Sequence, residues 1–579
     1  MQTHRSWAVV IGTAALSLSL LASNAHAQRL HVNGLIGEPP DVSNWPHPAA
    51  PDGNRYPRST ASSSALAQRK FQEQLGKLLF WEEQVSSDNT MSCGTCHIPS
   101  AGGTDLRAGG LHPSGNIGAF GMIRQHQNGL TGDIDYGFVA PPSNSIDRQV
   151  TGLHTPTMIG SYVFNQLFWD MRAGPDFVDN SGTTIPNFTD WASSEDLSVG
   201  PVVSDVEMGH EGIDWGTGFI QDKLNESYPL ALVDPATVPP DVAWLVSSGA
   251  TYRRIFDKVF HLHPQFGGFV GVTRERFAMA VAHYMRTLIP DQAPIDQGTM
   301  TPNQVDGFIV MQNSGCFVCH SATGGPTLTT PGGILADPFD NPLSDGQLHD
   351  IGFGPVKTPT LRNVGLRERF FSTGQVATLN DLVDFYENQP FGPPFQLIGS
   401  GPGGTLTPGE RNAVLDFLKN ALTDPRVAAE LPPFDRPELA SERSEFFPFE
   451  TNEYGVGTAG PSGTVPEIIA NSPPLVTKPL PGGGFPVNWF KIGVGHCPPN
   501  RPAFLLVNTL DASGPTLWVA PGFTVVPSGN TNPQGIATAH VPFPLTTATI
   551  GTAFYTQWMI DDFGIRAFSN AAKFSPFQF

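Results

Sequence analysis

Cys93-Gly-Thr-Cys96-His97 and Cys316-Phe-Val-Cys319-His320 are two copies of one pattern, and together they use four of the five cysteines in the chain. Two thiols three positions apart, followed at once by histidine, form the attachment signature of c-type haem. The thiols bond the two vinyl groups, and the adjacent imidazole then lies under the iron. A thioredoxin-like Cys-x-x-Cys does not need the following histidine. A zinc site can use Cys and His, but an exported chain carries oxidised thiols or haem instead. The pair therefore predicts two covalently bound haem c groups, one on Cys93, Cys96 and His97, the other on Cys316, Cys319 and His320. His97 and His320 are the expected iron ligands. The repetition also points to an internal duplication.

Helical patterns surround both motifs. Upstream of the first, a helix is expected from about Gln68, with Phe71, Leu75, Leu78 and Leu79 on one stripe. Thr273 opens a second helix, in which Phe277, Val281, Tyr284 and Leu288 share a face before Pro290 stops it. Thr378 opens a third, with Leu379, Leu382, Val383 and Tyr386 on its stripe. Thr407-Pro408-Gly409-Glu410 is a capping box with proline at the first helical position, ahead of Val414, Phe417, Leu418 and Leu422. The stretch 98–150 is glycine-rich and without clear periodicity, and a loop of that length in a compact domain is usually functional or wraps something.

His4 and Arg5 precede an apolar run from Trp7 to Ala22, and Ala25-His26-Ala27 follows. This reads as a secretory signal peptide at 1–27. The run is short for a membrane anchor, and no other stretch approaches a span, so the expectation is a secreted protein, periplasmic if the cell has an outer membrane. The chain has 579 residues and a net charge of −20, with 62 Gly and 55 Pro. The acidity argues against nucleic acid and anionic membranes as partners, and the length calls for about two to four domains. Composition shifts after about 440. Residues 441–485 are Pro- and Gly-rich and read as a linker. Short β-like runs follow at Ala503–Val507, Thr516–Val519, Phe523–Val526 and Thr552–Ile560, the last alternating with period two. They suggest a small β-sandwich at 486–579. The fifth cysteine, Cys497, is expected to be a buried thiol within it.

Gly76-Lys-Leu-Leu-Phe80 with Met91-Ser-Cys93-Gly-Thr-Cys96-His97, and Lys357-Thr-Pro-Thr-Leu-Arg-Asn-Val364 with Gly374-x-x-Ala-Thr-Leu379, resemble the bacterial di-haem cytochrome c peroxidase/MauG family. His154-Thr-Pro-Thr157, Phe168-Trp-Asp170 and Gly200-Pro201…Glu207-Met208 match in the same order. The resemblance covers about 65–440. It implies a mainly α fold of two cytochrome-c-like helical haem domains, placed here at 28–245 and 246–440. It also implies hydrogen peroxide as substrate at the N-terminal haem, and electron relay through the C-terminal haem from a small redox protein or an oxidisable substrate. Glu207 matches the distal acid–base carboxylate, a role that suits a partly buried Glu with a raised pKa. Trp169 matches the tryptophan between the haems. Tyr386 falls where the family places the second iron's distal ligand, and a phenolate there lowers the potential relative to Met.

Three departures matter. Leu197 stands where the family usually has Gln, which removes a polar neighbour of Glu207. Arg367 and Arg369 stand where a Thr and a Pro help to bind an inter-haem calcium, and His154 where an Asn does. Positive charge there argues against that calcium. His112 or His126, in the loop 98–150, is a candidate cap for the N-terminal haem. Two rival readings stay open: a non-catalytic di-haem electron-transfer protein, which Leu197 favours, and an oxygen-using di-haem oxygenase resembling rubber oxygenases.

Overall fold

The computed structural model describes residues 63–87, 89–107, 110–123, 148–186, 188–189, 192–209, 214–261, 263, 265–320, 328–330, 333–334, 343–389, 396–442, 451–469, 490–512, 517–531, 535, 537–541 and 552–574. The signal segment 1–27 and His126 lie outside them.

Helix α1, Ser63–Phe80, leads to the first motif, where Cys93–Cys96 forms one helical turn capped by Ser92 and Thr95 in a reciprocal pair of hydrogen bonds. Helix α2, Ser193–Val199, comes after the irregular segment that carries Trp169. Helix α3, Arg274–Met285, is capped by the Thr273 hydroxyl and packs against α1. The apolar stripes anticipated on α1 and α3 meet here: Leu75, Leu78, Phe277 and Val281 are at most 1% exposed. Gly76 lets the helices touch, since a Cβ on it would lie 1.8 Å from the carbonyl oxygen of Ala280 and 2.9 Å from Cβ of Tyr284.

The second motif repeats this construction. Helix α4, Pro302–Asn313, precedes Cys316, and Thr301 and Gln304 cap it reciprocally. Helix α5, Leu379–Glu387, is capped by Thr378, and helix α6, Pro408–Asp416, by the expected Thr407–Glu410 box. Helix α4 packs on α6. Gly307 is the counterpart of Gly76: its Cβ would lie 2.1 Å from the carbonyl oxygen of Ala413 and 2.9 Å from Cβ of Phe417. Glycine at both crossings permits backbone contact that alanine would block.

The two hydrophobic cores divide the chain differently from the expected boundary at 245/246. The first takes in Phe71 to Leu288 and regains Val427, Phe434 and Leu439 from further along the chain. The second runs from Ala293 to Leu422. The reason is the stripe on α3, which faces α1 and so assigns residues 274–288 to the first core.

Among the described residues, the C-terminal region holds two antiparallel sheets. One contains β1 (Thr451–Tyr454) at an edge, and the other contains β2 (Glu467–Ile469). Both strands fall inside the stretch 441–485 read as linker. Further along come β3 (Phe490–Gly495), β4 (Pro502–Asn508), β5 (Thr524–Asn530), β6 (Ala537–Val541), β7 (Phe554–Asp562) and β8 (Ile565–Phe574). The orders are β2-β3-β6 and β5-β4-β7-β8-β1. Side chains from both sheets, among them Ile468, Ile492, Leu505, Trp558 and Ile560, make one core, and the buried Cys497 belongs to it. The run expected at Thr516–Val519 forms only a single bridge, Asp511 to Val519, among the described residues. With 34% helix and 17% strand the molecule is mixed rather than mainly α. Short hairpins around the motifs, such as Leu348–Asp350 with Pro355–Lys357, and the C-terminal sheets account for the difference.

Candidate haem sites

Each motif opens into its own cavity. The first encloses about 1880 Å³ of empty space, open solvent included, and is lined by Cys93, Cys96 and His97; the second encloses about 1320 Å³ on the same measure and is lined by Cys316, Cys319 and His320. The cavities share a wall made of residues 154–157, Trp169, Pro359 and Thr360.

The histidines are set identically. Nδ1 of His97 lies 3.1 Å from the carbonyl oxygen of Gly103, and Nδ1 of His320 lies 3.2 Å from that of Leu343. A carbonyl only accepts, so Nδ1 carries the proton and Nε2 keeps its lone pair, the arrangement of a metal-ligating imidazole. Burial lowers the pKa of both rings, that of His320 to about 4, which keeps them neutral. None of the described cysteines is in a disulfide. Burial pushes the Cys93, Cys96 and Cys316 thiols up to about 12. Such thiols are poor thiolate ligands for a bare metal ion, whereas a thioether bond needs no standing charge. Cys319, Asp345 and His349 are close enough together to hold a metal ion, but a thioether at Cys319 would remove its thiolate and leave only Asp345 and His349. The Cys, Cys, His set lining each cavity fits a c-type haem.

Trp169 is 8% exposed and donates its indole N–H to the carbonyl oxygen of His154 at 2.7 Å. Its own carbonyl accepts from the Lys357 N–H at 2.7 Å, tying the wall to the segment before Pro359. The turn that presents it recurs in the second half. Leu167 bridges to Ala173 and Phe370 to Val376, and the next residue in each case, Phe168 or Phe371, has φ of 69° or 64°. Ser372 therefore takes the place of Trp169 in the second copy, and only the first copy puts an indole in the wall.

Glu207 lines the first cavity with His97 and Leu197. Burial raises its pKa, while Ser204 and the charge of Arg172 act the other way. Its stretch of chain follows α2, which a two-pronged ion pair anchors: Arg286, just after α3, meets Glu195 with both contacts at 2.8 Å. Tyr386, on α5, lines the second cavity with His320, with the rings of Phe371 and Phe385 beside it. Burial pushes its phenol pKa up, and the nearby sulfurs of Cys316 and Cys319 add to this. His112 bonds to Ser114 and is not among the residues lining either cavity.

Sequence reasoning gave no role to Lys357. It lines the first cavity, its ammonium lies 3.7 Å from the centre of the Phe164 ring, and burial lowers its pKa to about 8. Its signal was present in the quoted Lys357-Thr-Pro-Thr stretch, but nothing there marks a lysine as buried.

A family model described as di-haem cytochrome c peroxidase matches residues 70–303. The cytochrome c551 peroxidase of Nitrosomonas europaea is 24% identical over 322 residues, covering 54% of this chain and 71% of that protein. The methylamine utilization protein MauG of Methylorubrum extorquens is 21% identical over 339 residues, covering 54% of this chain and 67% of that protein. Among solved structures, the diheme peroxidase BthA of Burkholderia thailandensis aligns over 63% of this chain and 89% of its own, at 17% identity and a TM-score of 0.35.

Proposed function

We propose that the chain, which belongs to the di-haem cytochrome c peroxidase/MauG family of oxidoreductase enzymes, reduces hydrogen peroxide outside the cytoplasm with two covalently attached haems. The observation that carries the reading is the pairing of cavities: each has a Cys, Cys, His set, Glu207 lines only the first, and Trp169 lies in the wall between them. Haem bound on His97 would supply the iron at which the O–O bond is reduced, and haem bound on His320 would supply a store of electrons.

The chain's own residues do the rest. Glu207 holds and moves a proton. O–O cleavage requires a proton to leave the near oxygen and reach the far one, and a carboxyl group with a pKa raised by burial can do both. Leu197 makes that part of the cavity apolar, so Glu207 works without polar help from that position. Trp169 offers an oxidisable ring between the two sites. Tyr386, which lines the same cavity as His320, would offer a phenol oxygen to the iron of a haem bound there. Electrons would come from a small redox protein or an oxidisable substrate.

The test uses the purified holoprotein. Two haems per chain, resistant to acidic organic solvent, are expected. Cys93→Ala with Cys96→Ala should remove one haem and end peroxide consumption; Cys316→Ala with Cys319→Ala should remove the other. Extractable haem rejects covalent attachment. Two haems that leave peroxide untouched reject the catalytic reading in favour of electron transfer, the alternative that Leu197 supports.

A further inference from the structure

Basic side chains gather at the second cavity. Arg367, Arg369 and His154 all line the second cavity. The Arg367 chain runs against Gly102, just after the first motif, where a glycine Cβ would lie 3.0 Å from its Cγ. Its Nε is buried without a hydrogen-bond partner, and its Nη2 reaches only the carbonyl oxygens of Thr360 and Arg362, each at 3.3 Å. Among the described residues no carboxylate pairs with it. Arg369 donates to the carbonyl oxygen of Gly374 at 3.1 Å. His154 is 6% exposed, and its Nε2 is buried without a partner. Asp105, the carboxylate that acts on His154, is already paired with Arg107 at 2.6 Å.

A guanidinium with a buried, unpartnered Nε and an orphaned imidazole nitrogen are costly unless an anion completes them. A divalent cation would make matters worse, since it needs about six to eight oxygen ligands and would meet two guanidinium groups instead. The calcium implied by the family resemblance does not fit these residues. An anion of suitable chemistry comes with the cofactor. A haem held by thioether bonds to Cys316 and Cys319 would bring two propionate carboxylates with it.

Resting on the di-haem reading, we propose that Arg367 and His154, with Arg369 beside them, bind a propionate of the haem in the second cavity, so that side chains supply the positive charge a metal ion would bring. Charge-assisted hydrogen bonds from a guanidinium to a carboxylate are short and strong. They would also favour the reduced iron, which carries one positive charge fewer. Arg367 is a positioning residue in this account.

The experiment compares wild type, Arg367→Lys and Arg367→Gln as holoproteins, by haem count, by spectroelectrochemical titration of each haem over a range of pH, and by the propionate-bending band in resonance Raman spectra. Arg367→Gln should keep both haems, shift the propionate band, and lower the potential of the His320 haem while making it pH-dependent, because the freed propionate then titrates. Arg367→Lys should restore part of both effects. EDTA should leave the wild-type spectrum unchanged. If Arg367→Gln does not accumulate, His154→Gln reports on the same Raman band. An unmoved band and potential in two-haem protein overturn this inference alone, as does one tightly held calcium per chain. A wild-type protein without haem overturns the functional reading and this inference with it.

Discussion

Trp169 donates its indole N–H to the carbonyl oxygen of His154 at 2.7 Å, and both residues line both cavities. One hydrogen bond thus holds the ring in place between the two motif sites. The ring's polar edge is satisfied by backbone, so its apolar faces are left to the cavities. An indole presented this way could give up an electron to one site and be refilled from the other, two short steps where a single long step would be slow.

Trp169→Phe keeps an aromatic ring but loses the bond to His154 and some volume. The expected cost is about 1–2 kcal/mol of stability, with both haems retained. Electron re-equilibration between the haems, followed after rapid mixing with a limiting amount of reductant, should slow. An unchanged rate would leave Trp169 as packing only.

Gly307→Ala tests the helix crossing that builds the second site. Alanine normally gains about 1 kcal/mol over glycine inside a helix. Here its Cβ meets a carbonyl oxygen at 2.1 Å, and backbone cannot swing aside as a side chain can. The clash should win, with a net loss of about 1–3 kcal/mol in chemical denaturation. Gly409→Ala, on α6 with nothing within 4 Å of its new Cβ, is the control and should be neutral or slightly stabilising.

The two Cys-x-x-Cys-His repeats, the capped helices and the apolar stripes were legible because each depends on local spacing: Thr407 and Glu410 are a box on any helix that starts there. The place of residues 274–288 was not legible, because it depends on which helix the Phe277 and Val281 face meets, and that is a long-range fact. The strands Thr451–Tyr454 and Glu467–Ile469 were hidden by the Pro and Gly around them; their partners lie at Lys573 and Gly495, well outside any local window. Arg367 and Arg369 could be read as replacing oxygen donors. That Arg367 lacks a carboxylate partner among the described residues became visible only once its neighbours were placed.

Tyr386→Phe tests the proposed phenol ligand of the second haem. The phenol lies in the second cavity among Phe371, Phe385 and the sulfurs of its motif. Removing only the oxygen should convert a low-spin ferric haem to high spin, seen by electron paramagnetic resonance. It should also raise that haem's potential, since an anionic donor stabilises the ferric state. An unchanged spectrum would make Tyr386 a wall residue.

Glu207→Gln keeps the shape of a side chain that lines the first cavity and removes its ability to exchange a proton, which tests the proposed acid–base role. Burial raises the Glu207 pKa above the ordinary carboxylate value. The proton-accepting form therefore builds up only as pH rises through that raised value. Peroxide consumption by the wild type should climb with pH over that window. The stability linked to the group has the opposite sign: it is fully present below the unfolded pKa and is lost as pH rises through the folded one. In Glu207→Gln the rising limb of the rate profile should vanish. With Leu197 lending no polar help, the rate should fall by about 10²–10⁴-fold, while haem content and the reduction of both haems stay normal. Stopped-flow mixing with hydrogen peroxide across a pH series measures both effects. Equal rates and equal pH profiles in the two proteins would remove Glu207 from the chemistry.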